Sequence, residues 1–150
     1  MEEYNAVARS HNLPPTTMQA YPGNLLAANP PAIFSSADFF GFDLVVISMA
    51  LHLFDDPLSA LKLLSSRLKA GGTLVVIDNV PQQSLDEFAK IPGSHIKHGG
   101  FDQAQMESWL SEAGIGKDTE YVPLQKGPSC TIANGMTFEL NVFIAKGVKL

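Results

Sequence analysis

Hydrophobic and polar positions fall into blocks that mark the elements before any other property is needed. Glu2 to Asn12 reads as a helix, with Tyr4, Val7, Ala8 and His11 on one face at steps of three and four. Pro14-Pro15 ends it, because proline cannot continue a helix and restricts the residue before it. Thr17 to Tyr21 predicts a short strand, closed by the turn signal Pro22-Gly23-Asn24. Asn29-Pro30-Pro31 opens a loop running to Gly41, with Phe34, Phe39 and Phe40 set among small residues as packing beneath it.

Phe42 to Ser48 is the clearest strand. Its run Leu44-Val45-Val46-Ile47 has no alternation, which predicts burial on both faces in the middle of a parallel sheet. Asp55 or Asp56 then caps a helix whose first residue is Pro57. Ala60, Leu61, Leu64 and Leu68 follow along one side. Lys69 suits the negative end of the helix dipole, and Gly71-Gly72 offers a positive-φ stop. Thr73 to Asp78 is a second strand of the buried type. Strand, helix and strand make a βαβ unit with a right-handed crossover.

Asp102 begins another helix as N-cap, with Gln105 three residues on and Phe101 and Met106 placed as a hydrophobic staple. Met106, Trp109, Leu110 and Ala113 form its apolar stripe, and Gly114-Ile115 fits a left-handed C-terminal turn. Thr119 to Leu124 and Met136 to Lys146 read as strands, the second alternating Phe138, Leu140, Val142 and Ile144 with polar residues. Two late strands with no helix between them imply an antiparallel pair at a sheet edge.

Composition narrows what such a chain can do. The 150 residues are 45% hydrophobic and 17% charged, which excludes a disordered or collagen-like chain and makes room for one domain or part of one. Ten Lys and Arg against fifteen Asp and Glu give a net charge of −5. An acidic chain without a basic cluster lacks what a nucleic-acid grip requires, so no nucleic-acid partner is expected. The longest apolar run, Leu44 to Phe54, contains Ser48 and His52 and is too short to cross a bilayer, so no membrane partner is expected. The acidic start Met1-Glu2-Glu3 is unlike a targeting peptide. One cysteine, Cys130, forms no disulfide within the chain, and it has no evident partner for a nucleophilic role. These features point to a soluble, cytoplasmic protein.

The order of elements resembles the later part of a class I S-adenosylmethionine-dependent methyltransferase of the small-molecule type. Phe42 to His52, then Phe54-Asp55-Asp56-Pro57, is similar to the family's fourth strand and the start of the helix after it. Arg67-Leu68-Lys69-Ala70-Gly71-Gly72-Thr73-Leu74 is similar to the turn into its fifth strand, and Gly99 to Ile115 to its "GFxxxxLxxLLxxAGF" helix. Tyr4-Asn5-Ala6 and Gly23-Asn24-Leu25 resemble the family's "YN" helix and the turn after its third strand. The resemblance implies an α/β, partial Rossmann-like fold. Its sheet is mostly parallel, with an antiparallel strand pair at the C-terminal edge, drawn from the family order 3-2-1-4-5-7-6. Residues 1–150 would form a single, incomplete domain. The family's Gly-rich GxGxG turn and the acidic residue at the end of its second strand have no counterpart here. The only G-x-G, Gly114-Ile115-Gly116, follows a helix and fits a helix stop. The resemblance therefore implies a chain cut at its N-terminal side.

It also implies S-adenosylmethionine as cofactor and a small-molecule methyl acceptor. Asn24 and Leu25 stand where the family meets the adenine edge, although a turn asparagine after Pro22-Gly23 has the same sequence. Ser48, Met49 and Ala50 follow the carboxyl end of a strand, where open α/β sheets place ligands; ordinary packing at a strand end is the other reading. His52 is the candidate catalytic residue, a general base near working pH, or else a histidine that orients the helix start at Asp55-Asp56. His95 and His98 share a Gly-flanked loop, so no metal site is expected from them. Losing two charge-assisted cofactor bonds at roughly 1.5–3 kcal/mol each lowers affinity by about two to four decades. The chain alone is expected to bind cofactor weakly or not at all and to be inactive. The alternative is a non-catalytic methyltransferase-like partner or regulatory subunit that associates as a homo- or hetero-oligomer through an exposed edge at Leu44 to Ile47. The later half of a nucleotide-dependent oxidoreductase fits the βαβ unit but not Arg67 to Gly72 or the late strand pair.

Overall fold

The computed structural model describes residues 1–124 and 141–150 in full, and the backbone of 129–131 and 137–139. Its contacts separate Met1–Ser35 from Ser36–Leu150 as two units.

In the first unit, α1 spans Glu2–Ser10 and buries only Ala8; Tyr4, Val7 and His11 stay exposed, so the expected four-residue apolar face is reduced to one contact. Thr17 to Tyr21 is not a strand. The amides of Thr17 and Met18 both donate to the Pro14 carbonyl, at 2.8 and 3.1 Å, which curls the chain into a turn. The Asn5 side chain then takes both backbone groups of Ala20, donating to its carbonyl (3.1 Å) and accepting from its amide (2.7 Å). With Ala20 satisfied by a side chain, the segment has no need of a strand partner. Phe34, in a short 3-10 turn, lies buried against Gly23.

The second unit begins with a 3-10 turn at Ala37–Phe39, followed by β1 (Phe42–Ser48), α2 (Pro57–Arg67) and β2 (Leu68–Asn79). After these come α3 (Gln83–Ala89), α4 (Gln103–Glu112) and β3 (Lys117–Pro123). The chain ends with β4 (Ser129–Thr131), β5 (Thr137–Glu139) and β6 (Val142–Val148). The main sheet has the order β1-β2-β6-β3, with β1 and β2 parallel and β6 antiparallel to both of its neighbours. That is the expected 4-5-7-6 section, with one reversed strand. The expected single strand from Met136 to Lys146 is two strands, because β5 pairs with β4 in a separate ladder while β6 enters the main sheet. Residues 136 and 140 of that segment, and the side chain of Cys130, lie outside the described residues.

Local chemistry explains the helix ends. Asp56, not Asp55, caps α2 by accepting from the Ser59 amide at 3.0 Å. Asp102 caps α4 in the same way through Gln105. At its other end Gly114 takes φ +77, letting Gly114 and Ile115 donate to the Ser111 and Leu110 carbonyls and close a Schellman turn. The expected stop of α2 at Gly71-Gly72 is displaced: the helix ends at Arg67, and these glycines lie in an irregular stretch of β2. Helix α3 has no counterpart among the sequence expectations; Leu85 is its buried residue.

One face of the sheet carries Ile47, Leu74, Val76, Phe143 and Ala145 into a core shared with Leu61 of α2 and with Met106 and Leu110 of α4. Each of the larger side chains among these contributes roughly 1.5–3 kcal/mol by leaving water. The other face is partly open. Leu44 is 54% exposed and Val46 52%, so β1 is not buried on both sides; among the described residues it is an edge strand of this sheet. Among the described residues no helix is long and apolar enough to cross a membrane.

Candidate functional site

The carboxyl ends of β1 and β2 lie side by side because the strands are parallel, and the chain emerging from each turns over the same rim. Ser48 pairs with Ile77 as the last rung of that ladder. Met49 then adopts φ +49, a left-handed conformation that is uncommon for a non-glycine residue, and donates its amide to the Ile77 carbonyl at 2.8 Å. This reversal sends Ala50 into a 3-10 turn, Leu51–Leu53, and carries His52 inward. Ser48 and Met49 remain exposed at the rim, Ala50 is half-buried, and His52 is only 7% exposed.

Asp78 receives His52. Its carboxylate is fully buried at the end of β2 and accepts from three donors: His52 Nδ1 at 2.7 Å, the His52 amide at 3.2 Å and the Asn79 amide at 2.8 Å. A carboxylate acceptor places a ring proton on Nδ1, so that in the neutral ring the lone pair is on Nε2. The His52 carbonyl is occupied as well, accepting from the amides of Lys97 and His98 at 2.9 and 3.2 Å. His98 Nε2 in turn lies 3.0 Å from the Phe54 carbonyl, and Lys97 pairs with Asp55 at the surface. One residue thus joins the turn after β1, the end of β2 and the loop leading to α4.

That loop needs Gly100, whose φ is +140. A Cβ there would stand 2.3 Å from the Val80 carbonyl oxygen, so only glycine lets the loop cross the end of β2 this closely. Phe101 follows, donating its amide to the Asn79 carbonyl at 2.9 Å and accepting from the Tyr121 hydroxyl at 2.9 Å. Burial pushes the Tyr121 hydroxyl up to about 12, with the Asp102 charge adding to the shift. The Asn79 side-chain oxygen is buried without a hydrogen-bond partner among the described residues.

The structure brings Ser48, Met49, Ala50 and His52 to one rim. Asn24 and Leu25 belong to the Met1–Ser35 unit. Asn24 is exposed, and its Oδ1 accepts from the Leu26 amide at 2.9 Å, the local bond of a turn asparagine. Sequence reasoning ended a buried-type strand at Asp78 but missed its bond to His52. The available signal was a strand ending in a carboxylate beside a strand followed by a histidine turn. Among the described residues no three His, Cys, Asp or Glu side chains gather as metal ligands.

For S-adenosylmethionine the fit is partial. The exposed Ser48–Met49 turn lies beside the strand ends, but among the described residues no Gly-rich turn follows a strand; in the other unit the Asn24 oxygen is already engaged by the Leu26 amide.

No family model matches the chain, and no curated protein matches it. Solved structures do. YcgJ from Bacillus subtilis superposes with a TM-score of 0.64 at 16% identity, over 99% of this chain and 77% of that one. An O-methyltransferase family protein from Burkholderia thailandensis gives 0.60 at 15%, over 99% of this chain and 40% of its own. The S-adenosylmethionine-dependent methyltransferase SibL, in its apo form, gives 0.65 at 18%, again over 99% and 40%. The chain therefore spans less than half the length of two of these three proteins. With the strand order β1-β2-β6-β3 and a reversed β6, this chain carries part of the class I S-adenosylmethionine-dependent methyltransferase fold.

Proposed function

We propose that the chain supplies the acceptor side of an S-adenosylmethionine-dependent methyl transfer to a hydroxyl of a small molecule, in a cytoplasmic setting. The observation that carries this reading is the buried bond from His52 Nδ1 to Asp78 at 2.7 Å. A histidine whose Nδ1 proton is held by a buried carboxylate has its Nε2 fixed as a base, the arrangement that removes a proton from a bound hydroxyl. Asp78 is the positioning residue: it sets the tautomer and stabilises the imidazolium once the proton arrives. The Ser48-Met49-Ala50 turn borders the space in which acceptor and cofactor would meet. S-adenosylmethionine, when bound beside the Ser48-Met49-Ala50 turn, would supply an electrophilic methyl group on a sulfonium, and His52 Nε2 would accept the proton of the acceptor hydroxyl. Orientation and exclusion of water do the remainder of the work.

The isolated 150-residue chain is expected to bind the cofactor near millimolar or more weakly, and to show little or no turnover. Titration with S-adenosylhomocysteine, followed by amide chemical shifts, tests both parts. Shifts at Ser48, Met49 and Ala50 that approach saturation only near millimolar support the reading. A low-micromolar dissociation constant by calorimetry overturns the weak-binding part, and robust methylation across an acceptor panel overturns the inactivity. A second reading, a non-catalytic methyltransferase-like partner, is favoured by the bare edge of β1. A rim silent at millimolar ligand would select it.

A further inference from the structure

The side chain of His52 is 9% exposed, whereas an acceptor hydroxyl must come within about 3 Å of its Nε2 to lose a proton there. Something beside the ring has to give way. The sheet and its core cannot do so cheaply. Asp78 is fully buried under three donors, and Leu51, next to His52, is packed with Leu61 and Leu74 at 0% exposure. The chain that leaves β2 and returns to α4 is built differently. From Pro81 to His98 its one buried residue is Leu85. Among the described residues, every hydrogen bond of residues 83–96 is made within residues 82–96.

Both ends of this segment are fixed at one point. The Val80 amide donates to the Asn141 carbonyl at 2.9 Å, and the Phe101 amide donates to the Asn79 carbonyl at 2.9 Å. Gly100 lies so close to Val80 that a Cβ would stand 2.3 Å from its carbonyl oxygen. A loop with a closed neck and little burial beyond it can swing as a unit while the sheet stays in place. What holds it down is the turn that carries His52. The Lys97 and His98 amides donate to the His52 carbonyl at 2.9 and 3.2 Å. His98 Nε2 donates to the Phe54 carbonyl at 3.0 Å, and Lys97 pairs with Asp55 at the surface. All of these contacts are polar, so water can replace them when the segment lifts.

We propose that residues 81–98 form a flap that closes on the His52 turn and opens about the Val80–Gly100 neck to expose Nε2 to the acceptor. That an acceptor enters there rests on the methyl-transfer reading of His52. The opening itself does not, and it is measured without cofactor or acceptor.

Native-state amide hydrogen exchange reads the opening. Lys97 and His98 are expected to exchange about a hundredfold or more faster than Phe101 at the neck and Met49, whose amide is held by Ile77. Equal protection at the four amides overturns the proposal, because the segment would then open only together with the sheet. Chemical modification reads what the flap covers. Diethyl pyrocarbonate is expected to modify His52 more slowly than the exposed His11. His98→Ala removes the bond to Phe54 and is expected to speed the His52 reaction about tenfold, the effect of losing one hydrogen bond, with His11 unchanged. No acceleration in the folded variant overturns the proposal. Should His98→Ala fail to fold, the exchange contrast in the unaltered chain decides alone. A rim silent at millimolar S-adenosylhomocysteine beside fast flap exchange would remove the methyl-transfer reading and leave the flap; ligand binding with uniform exchange would do the reverse.

Discussion

His52 Nδ1 stands 2.7 Å from Asp78 Oδ1, joining residues 26 positions apart inside the protein. The two reach each other because parallel strands deliver their C-terminal ends to one rim, and because the left-handed turn at Met49 swings the next residues back over the sheet. Fold and candidate chemistry meet in this pair: the same contact that fixes a tautomer also ties β1 to β2 and, through the His52 carbonyl, to the loop before α4.

Removing one partner leaves a polar group buried without its mate. His52→Ala is expected to lower the free energy of unfolding by about 3–5 kcal/mol, because it leaves the buried Asp78 carboxylate uncompensated. Asp78→Asn keeps the shape and some hydrogen bonding and is expected to cost less, about 1–3 kcal/mol. Urea denaturation of the two single variants and the double variant checks this. Strict additivity within the error would mean that the two side chains do not act together.

Gly100 is constrained by space as well as by φ, because its missing Cβ would meet the Val80 carbonyl oxygen at 2.3 Å. Gly100→Ala is therefore expected to destabilise the chain by roughly 1–3 kcal/mol or more through backbone strain and displacement of the loop. The comparison is Gly41→Ala, where φ is +75 but a Cβ would meet nothing within 4 Å. Thermal unfolding should place Gly100→Ala clearly below Gly41→Ala; equal midpoints would show that the loop shifts freely.

How far the sequence could be read depended on whether each signal was local. Asp102, Phe101, Met106, Gly114 and Ile115 form one helix with both of its ends, and each works through neighbours within a few residues, so all were legible. The βαβ unit was legible for the same reason. Thr17 to Tyr21 was misread because its fate is decided by Asn5, on a helix fifteen residues away from Ala20. Leu44 to Ile47 looked like a central strand because composition reports how apolar a strand is, not whether a neighbour lies beside it. Of the site, the rim position of Ser48 to His52 was readable from the strand end. The bond to Asp78 was not, since it depends on the parallel register of β1 and β2.

Asp56 gives a pH-dependent expectation with a definite sign. The Ser59 hydroxyl, at 2.5 Å, and then the Ser59 amide hold its carboxylate and keep it below the usual range. A carboxyl depressed in the folded state contributes its full stabilisation above the unfolded value of about 3.9 and loses it as pH falls through the folded one. Asp56→Ala is thus expected to unfold at a lower temperature than wild type at neutral pH, with the gap closing in acid. A gap that stays constant down to strongly acid pH would show that the cap acts through shape alone.

Tyr121 provides the opposite case at alkaline pH. Its ring stacks on Phe143 with centroids 4.6 Å apart, its hydroxyl donates to the Phe101 carbonyl, and burial raises its pKa to about 12. An unfolded tyrosine ionises near about 10, so between these values the folded chain holds a proton that the unfolded chain has released. The contribution of Tyr121 to stability is therefore complete below about pH 10 and declines as pH rises toward 12. Tyrosinate absorbance should show a late phase near pH 12 that is absent in Tyr121→Phe. The same variant should lose about 1 kcal/mol at neutral pH for the missing hydrogen bond. If the late phase persists in Tyr121→Phe, the raised value belongs to another tyrosine and the link from β3 to the loop before α4 is weaker than its geometry states.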